Sequence, residues 1–198
     1  MKGFEIERKF LVKVDEHGIP IIDLKLDMLL HGFSKIETIS QCFLSTDPDK
    51  VIRIRLVKED VSDKGWFYRL KHWLRVNKSA WNVERWDQAL LTVKGKSDGP
   101  KRREIETELD LKTAIDLCQH FSLGTIRKMR FTTIIGKDVW QIDSIGFLNG
   151  PRRLIVAEIE LEHADQTVDL PTWVGQEVTE DHRYSNVNLS QTGWPFHE

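Results

Sequence analysis

The feature that most restricts this chain is an alternation of charged and apolar residues that returns, in phase, along most of its length. It opens at Glu5-Ile6-Glu7-Arg8-Lys9-Phe10 and closes at Ala157-Glu158-Ile159-Glu160-Leu161. Successive side chains of an extended strand point to opposite faces, so Glu5, Glu7 and Lys9 share one face while Ile6 and Phe10 share the other. One such segment describes only a half-buried strand with a wet side. The constraint comes from repetition.

Arg53 and Arg55 alternate with Ile52, Ile54 and Leu56, and Thr92 and Lys94 flank Val93. Arg102, Glu104, Glu106 and Glu108 then oppose Ile105 and Leu109, and Lys128 and Arg130 oppose Met129 and Phe131. Gln141 and Asp143 alternate with Trp140 and Ile142, as Glu158 and Glu160 do with Ile159 and Leu161. The β-branched content and the period of two make these segments strands. Their charged face gathers carboxylates (Glu5, Glu7, Glu104, Glu106, Asp143, Glu158, Glu160) and as many cations (Lys9, Arg53, Arg55, Lys94, Arg102, Lys128, Arg130).

Between the strands, Asp110 can cap a helix whose apolar stripe runs through Leu111, Ile115, Cys118 and Phe121, with Gly124 as its stop. A weaker helix is expected over Asp23–His31, a helical turn at Pro171–Gly175 and another at Tyr184–Gln191. At 198 residues, 40% hydrophobic and 30% charged, the chain suits one soluble domain. Its net charge of −2 argues against a general affinity for nucleic acid or acidic membranes. Cys42 and Cys118 lack metal-type spacing, no stretch has the length of a membrane span, and Glu5 and Glu7 stand where a secretory signal would be basic and then apolar. A cytoplasmic protein with reduced thiols is expected.

Strands charged on one face and apolar on the other have two solutions. The sheet can show its charged face to water, or it can close into a barrel with the charges inside and helices packed outside. A solubilising face intersperses signs, whereas here Arg53 stands with Arg55, Lys128 with Arg130, Glu104 with Glu106, and Glu158 with Glu160. Like charges two apart repel unless a neighbouring strand or a ligand separates them. Clustered Arg and Lys suit phosphate oxygens; clustered carboxylates suit Mg²⁺ or Mn²⁺. A polyphosphate chelating a divalent metal satisfies both sets. The chain offers no Gly-rich phosphate loop, zinc pattern or serine-nucleophile motif to compete.

Taken in order, Glu5-x-Glu7-x-Lys9, Gln41-Cys42-Phe43-Leu44, Arg53-x-Arg55, Leu91-Thr92-Val93-Lys94-Gly95, Arg102-x-Glu104-x-Glu106, Lys128-x-Arg130, Asp143, Ala157-Glu158-x-Glu160 and Glu177-Val178-Thr179 form a specific set. The set resembles the CYTH domain of the triphosphate tunnel metalloenzymes, closest to short bacterial inorganic triphosphatases. The resemblance covers nearly the whole chain and implies an α+β fold: a closed eight-stranded antiparallel β-barrel, the triphosphate tunnel, with a charged interior and helices outside.

It also implies metal-dependent hydrolysis of inorganic triphosphate to pyrophosphate and phosphate. By the same resemblance, Glu5, Glu7, Glu158 and Glu160 are metal ligands, with Glu106 and Asp143 as candidates for a second ion. Lys9, Arg53, Arg55, Lys94, Arg102, Lys128 and Arg130 form the triphosphate cradle, and Arg183 is a candidate at the tunnel mouth. Lys9, Glu5, Glu7 and Glu160 are expected to act in catalysis.

Three classes of function stand at this point. The first is triphosphate hydrolysis, with thiamine triphosphate and nucleoside triphosphates as rival substrates. The second is a class IV type adenylyl cyclase, disfavoured because only Met1-Lys2-Gly3-Phe4 precedes Glu5, leaving no room for the His-Phe pair such cyclases carry there. The third is a non-catalytic polyphosphate or nucleotide binder. The departure from minimal members is an inserted aromatic-rich segment at about 58–90, where Trp66, Phe67, Tyr68, Trp73, Trp81 and Trp86 interleave with Arg69, Lys71, Arg75 and Lys78. We read it as packing on the barrel or on a second subunit in a homodimer, in preference to a base-stacking surface.

Overall fold

Ten strands among the described residues form one ladder, antiparallel at every pairing, in a computed structural model that describes residues 4–15, 34–59, 83–98, 101–146, 153–163, 165–193 and 195. In chain order they are β1 (Phe4–Glu5), β2 (Glu7–Val12), β3 (Lys35–Ser45), β4 (Val51–Glu59), β5 (Gln88–Asp98), β6 (Lys101–Leu109), β7 (Gly124–Ile135), β8 (Asp138–Gly146), β9 (Arg153–Glu160) and β10 (Val174–Glu177). In space they follow β1-β6-β5-β4-β3-β7-β8-β9-β2-β10. The tight β7–β8 hairpin turns through Gly136 and Lys137, and Gly136 holds φ 64°, the positive value that the first position of a II′ turn demands.

The outer, apolar face is covered in two places. Under α1 (Leu111–Phe121), Cys42, Ile54, Leu56 and Ala89 pack on Ala114, Ile115 and Cys118. Asp110 starts that helix as expected, its carboxylate accepting the Thr113 N–H at 2.9 Å. Elsewhere Phe10, Met129, Phe131, Trp140, Ile142 and Ile159 are covered by Val168, Trp173 and Val174, with Trp140 and Trp173 edge to face at 5.4 Å.

A third apolar cluster lies on the charged face itself. Val51 is in phase with Arg53, Ile126 with Lys128, Ile145 with Asp143, and Leu154 and Val156 with Glu158. Because alternate strands run in opposite directions, the start of β4, β7 and β9 and the end of β8 fall at the same end of the sheet. Each inner row therefore turns from charged to apolar at that end. There α2 (Asn186–Thr192), entered through a 3-10 turn at His182–Tyr184, brings Leu189 and Tyr184 onto the cluster.

The observed architecture corrects several expectations. Among the described residues the hydrogen-bonded ladder has ten strands and is not closed, so the α+β antiparallel fold is present while the expected closed eight-stranded barrel is not established by it. Part of the difference is a break at Ile6, whose carbonyl accepts the Leu161 N–H at 2.8 Å and whose side chain joins the outer core. Residues 4–5 consequently pair with β6 at one end of the ladder, while residues 7–11 pair with β9 near the other. Pro171–Gly175 is a turn leading into β10, because Trp173 is buried and its carbonyl accepts the Lys13 N–H. Gly124 opens β7 instead of ending α1.

The helix expected over residues 23–31 lies outside the described residues, as does most of the inserted segment; of its aromatic residues Trp86 is described, and it packs with the α1 cluster.

α2 sits close on β7: a Cβ at Gly124 would stand 2.7 Å from Ser190 Oγ and 3.1 Å from Ser190 O. Gly124→Ala is expected to cost about 1–3 kcal/mol through this overpacking, read as a lower denaturant midpoint at unchanged slope.

Candidate functional site

The charged rows of the sheet enclose a cavity of about 180 Å³. Its walls are Glu7 and Lys9 of β2, Arg53 and Arg55 of β4, Lys94 of β5, Glu104 and Glu106 of β6, Lys128 and Arg130 of β7, Gln141 of β8, and Glu158 and Glu160 of β9. At the apolar end it meets Phe43 and Val51, with Ser185, Asn186 and Val187 at the start of α2. Charge alternation on separate strands thus becomes one lining, and register decides who faces whom. Lys9 lies opposite Glu158, Gln141 opposite Glu158, Arg130 opposite Asp143, Lys94 opposite Glu104, and Glu7 opposite Glu160.

The β7–β8–β9–β2 wall is a continuous charge chain. Lys128 Nζ donates to Asp143, and Arg130 forks onto Asp143 with two contacts of 2.7 Å. Arg130 also donates to Gln141 Oε1 and, at 2.6 Å, to Glu158, whose other oxygen lies 3.0 Å from Lys9 Nζ. Burial pushes the Glu158 carboxyl up, yet Lys9, Lys128 and Arg130 together hold it well below the usual carboxylate range. Burial likewise works against the charge on Lys9, but Glu158, Glu7 and Asp143 outweigh it and raise the ammonium above its ordinary value. Lys128 goes the other way: burial and Arg130 push it down to about 8 against the pull of Asp143 and Glu158.

The β4–β5–β6 wall is less saturated. Lys94 reaches Glu104 at 2.8 Å, but Arg53 stands 3.6 Å from Glu104 and Arg55 4.0 Å from Glu106, which also accepts from the Thr92 hydroxyl at 3.0 Å. The Nε atoms of Arg53 and Arg55 are buried and find no hydrogen-bond partner among the described residues. Burial, with the positive charges of Arg53 and Arg130, brings Arg55 down to about 10. Unspent guanidinium donors in an excess of positive field are what an anion with several oxygens satisfies.

For a divalent metal, the fitting donors are Glu7 and Glu160. They are direct cross-strand partners and both line the cavity, with Lys9 and Arg130 near enough for the Glu7 charge to favour their protonated forms. Among the described residues, no three His, Cys, Asp or Glu side chains converge on a single metal-sized point. Two carboxylates completed by water and phosphate oxygens suit Mg²⁺, a hard ion that keeps part of its hydration.

The residues singled out from the sequence fall into three groups. Glu7, Lys9, Arg53, Arg55, Lys94, Glu106, Lys128, Arg130, Glu158 and Glu160 meet in the cavity. Glu5 and Arg102 are register partners at the β1–β6 edge, and their side chains lie outside the described set. Asp143 and Arg183 lie elsewhere. Asp143 is fully buried behind the lining, its oxygens taken up by Lys128 and Arg130, and Arg183 is exposed with its guanidinium folded onto Asp181 at 2.6 Å. Glu104 and Gln141 also line the cavity, and their signal in the sequence is their phase with Glu106 and Asp143; Ser185, Asn186 and Val187 have no periodic signal, since α2 enters the site by tertiary packing alone.

The fold and lining place the protein in a class of small antiparallel sheets with a polar, ion-paired interior, and comparison with known proteins gives the class its name. The chain belongs to the CYTH domain family, whose profile matches residues 3–192. It is 29% identical over 188 residues to a protein named inorganic triphosphatase from Acetivibrio thermocellus, covering 94% of this chain and 93% of that relative. The crystal structure of an inorganic triphosphatase superposes with a TM-score of 0.51 at 22% identity, covering 95% of each chain. A chain of the Schizosaccharomyces pombe Mediator head module reaches a TM-score of 0.51 at 9% identity, covering 84% of this chain and 86% of its own. At such identities the superpositions establish the fold alone. No helix among the described residues is long and apolar enough to cross a membrane.

Two outcomes test this description. Asp143→Ala leaves Lys128 and Arg130 buried without their shared partner, so unfolding free energy is expected to fall by about 3–5 kcal/mol in urea titrations. Because Lys128 binds its proton less tightly folded than unfolded, its contribution to stability increases as pH rises from about 8 to about 10.4. The stability of wild type relative to Lys128→Met should therefore grow between pH about 7 and about 9.5 in paired denaturant titrations.

Proposed function

We propose that this protein hydrolyses inorganic triphosphate to pyrophosphate and phosphate with the aid of Mg²⁺ or Mn²⁺. The observation that carries the reading is the unsaturated Arg53–Arg55 wall facing the Glu7–Glu160 carboxylate pair across one cavity. The relative named inorganic triphosphatase supports the choice of substrate. We further propose that the ladder closes into a tunnel, with the N-terminal run supplying the seam. Support for closure is that residues 4–5 pair with β6 and residues 7–11 with β9.

In this reading Arg53, Arg55, Lys94 and Lys128 bind the phosphate oxygens, and Arg102 joins them from the β6 edge. Lys9 and Arg130, already held by Glu158, present fixed positive charge to the phosphoryl group that is transferred. Glu7 and Glu160, with Glu5 and one oxygen of Glu158, are assigned to the divalent ion, which when bound neutralises phosphate charge and lends Lewis acidity. Glu106, oriented by Thr92, is assigned to holding the attacking water in line with the scissile bond. Asp143 is assigned to orienting Lys128 and Arg130, and Arg183 is given no part. Since the transition state needs little covalent help, position and charge supply most of the acceleration.

The deciding assay offers triphosphate, pyrophosphate, ATP and thiamine triphosphate with Mg²⁺, Mn²⁺ or a chelator. Phosphate and pyrophosphate are expected from triphosphate, with turnover abolished by the chelator; cyclic AMP from ATP as the main product would overturn the reading. Glu160→Gln is expected to lower kcat by about 100-fold or more while the protein stays folded. Turnover near the wild-type rate would remove Glu160 from the ligand set.

A further inference from the structure

The motif Glu177-Val178-Thr179 lies outside the cavity lining, yet it grips the strand that supplies Glu7 and Lys9. Between Val174 and Glu177, β10 advances three residues while its partner β2 moves only two, from Val12 to Phe10, which is a β-bulge. Gly175 permits it: a Cβ there would stand 2.9 Å from the Leu11 carbonyl oxygen. Beyond the bulge, the Val178 N–H donates to Lys9 O at 2.8 Å. The other backbone group of Lys9 is taken by a side chain, its N–H donating to Thr179 Oγ1 at 3.0 Å.

That hydroxyl is itself fixed. Thr179 Oγ1 donates to Glu177 Oε1 at 2.8 Å, and Glu177 accepts a two-point fork from Arg8 at 3.0 and 2.6 Å. Arg8 in turn covers the Phe10 ring at 4.9 Å. Residues 8 and 10 on the outer face are thus clasped by the same segment that holds the backbone of residue 9. In an antiparallel strand the N–H and C=O of one residue point to the same side, so both polar groups of Lys9 belong to the clasp. On its other side, Lys9 faces Glu158 as a pair without ladder bonds between them, the arrangement that brings side chains closest.

We propose that Thr179 is a positioning residue for the reaction: by accepting the Lys9 N–H it sets where the Lys9 ammonium and the Glu7 carboxylate stand in the cavity. The inference rests on the triphosphatase reading given above. Thr179→Val keeps the shape and removes the acceptor, and Thr179→Ser restores a hydroxyl. The Val variant is expected to lose about 10- to 100-fold in kcat/KM for triphosphate, with faster hydrogen exchange at the Lys9 amide, and the Ser variant to recover most of both. Asp110→Ala, which removes a helix cap remote from the cavity, serves as the control: it lowers stability and leaves kcat/KM and Lys9 exchange unchanged. Wild-type kcat/KM in the Val variant would overturn the inference. If wild-type protein turns over no triphosphate, the functional reading fails by itself, and unchanged Lys9 exchange in the Val variant then overturns the clasp.

Discussion

The rest of the structure depends on the buried charge chain Lys128–Asp143–Arg130–Glu158–Lys9. Placing that many charges on the inward face of a sheet is tolerable only when each finds a partner, because burying an unpaired ion costs several kcal/mol. Four adjacent strands, β7, β8, β9 and β2, supply these carboxylates and cations in register, so each charge of this wall has a protein partner. It forms a rigid side against which the opposite wall can stay under-satisfied. Arg53 and Arg55 are held only at 3.6 Å by Glu104 and 4.0 Å by Glu106, and their buried Nε atoms have no hydrogen-bond partner among the described residues.

The same asymmetry gives the inner carboxylates different surroundings. Asp143 is consumed by two cations at full burial. Glu158 lies one step nearer the cavity, shared between Arg130 and Lys9. Glu7 and Glu160 face each other and line the cavity, Glu7 within the field of Lys9 and Arg130. A progression from a carboxylate buried behind the lining to carboxylates that line the cavity therefore runs across three adjacent strands.

Along the strand direction a second division operates. The inner rows of β4, β7, β8 and β9 turn apolar at the end where α2 docks, while β5 and β6 keep Lys94 and Glu104 beside it. Dry packing of Val51, Ile126, Ile145 and Leu154 under Leu189 anchors that end, and the low polarity there strengthens the electrostatic interactions beside it. The close approach of Ser190 to Gly124 shows how little room the arrangement leaves.

Much of this was legible in the chain. The period of two assigned the inward face for Glu7, Lys9, Arg53, Arg55, Glu106, Lys128, Arg130, Glu158 and Glu160, since a pleated strand leaves each side chain only two directions to point. The capped helix at 110–121 was equally plain, because a cap residue and an apolar stripe are local signals. Register was not: whether Glu158 meets Lys9 or Glu7 depends on pairing between residues about 150 apart, and a shift of one residue would reverse every face. The bulge at β10 and the docking of α2 likewise have no local period to announce them.

The sequence by itself determined which residues face inward and that both signs are gathered there. Only the tertiary structure decided which of these charges are buried behind the lining and which line the cavity, because that division depends on cross-strand distance and burial.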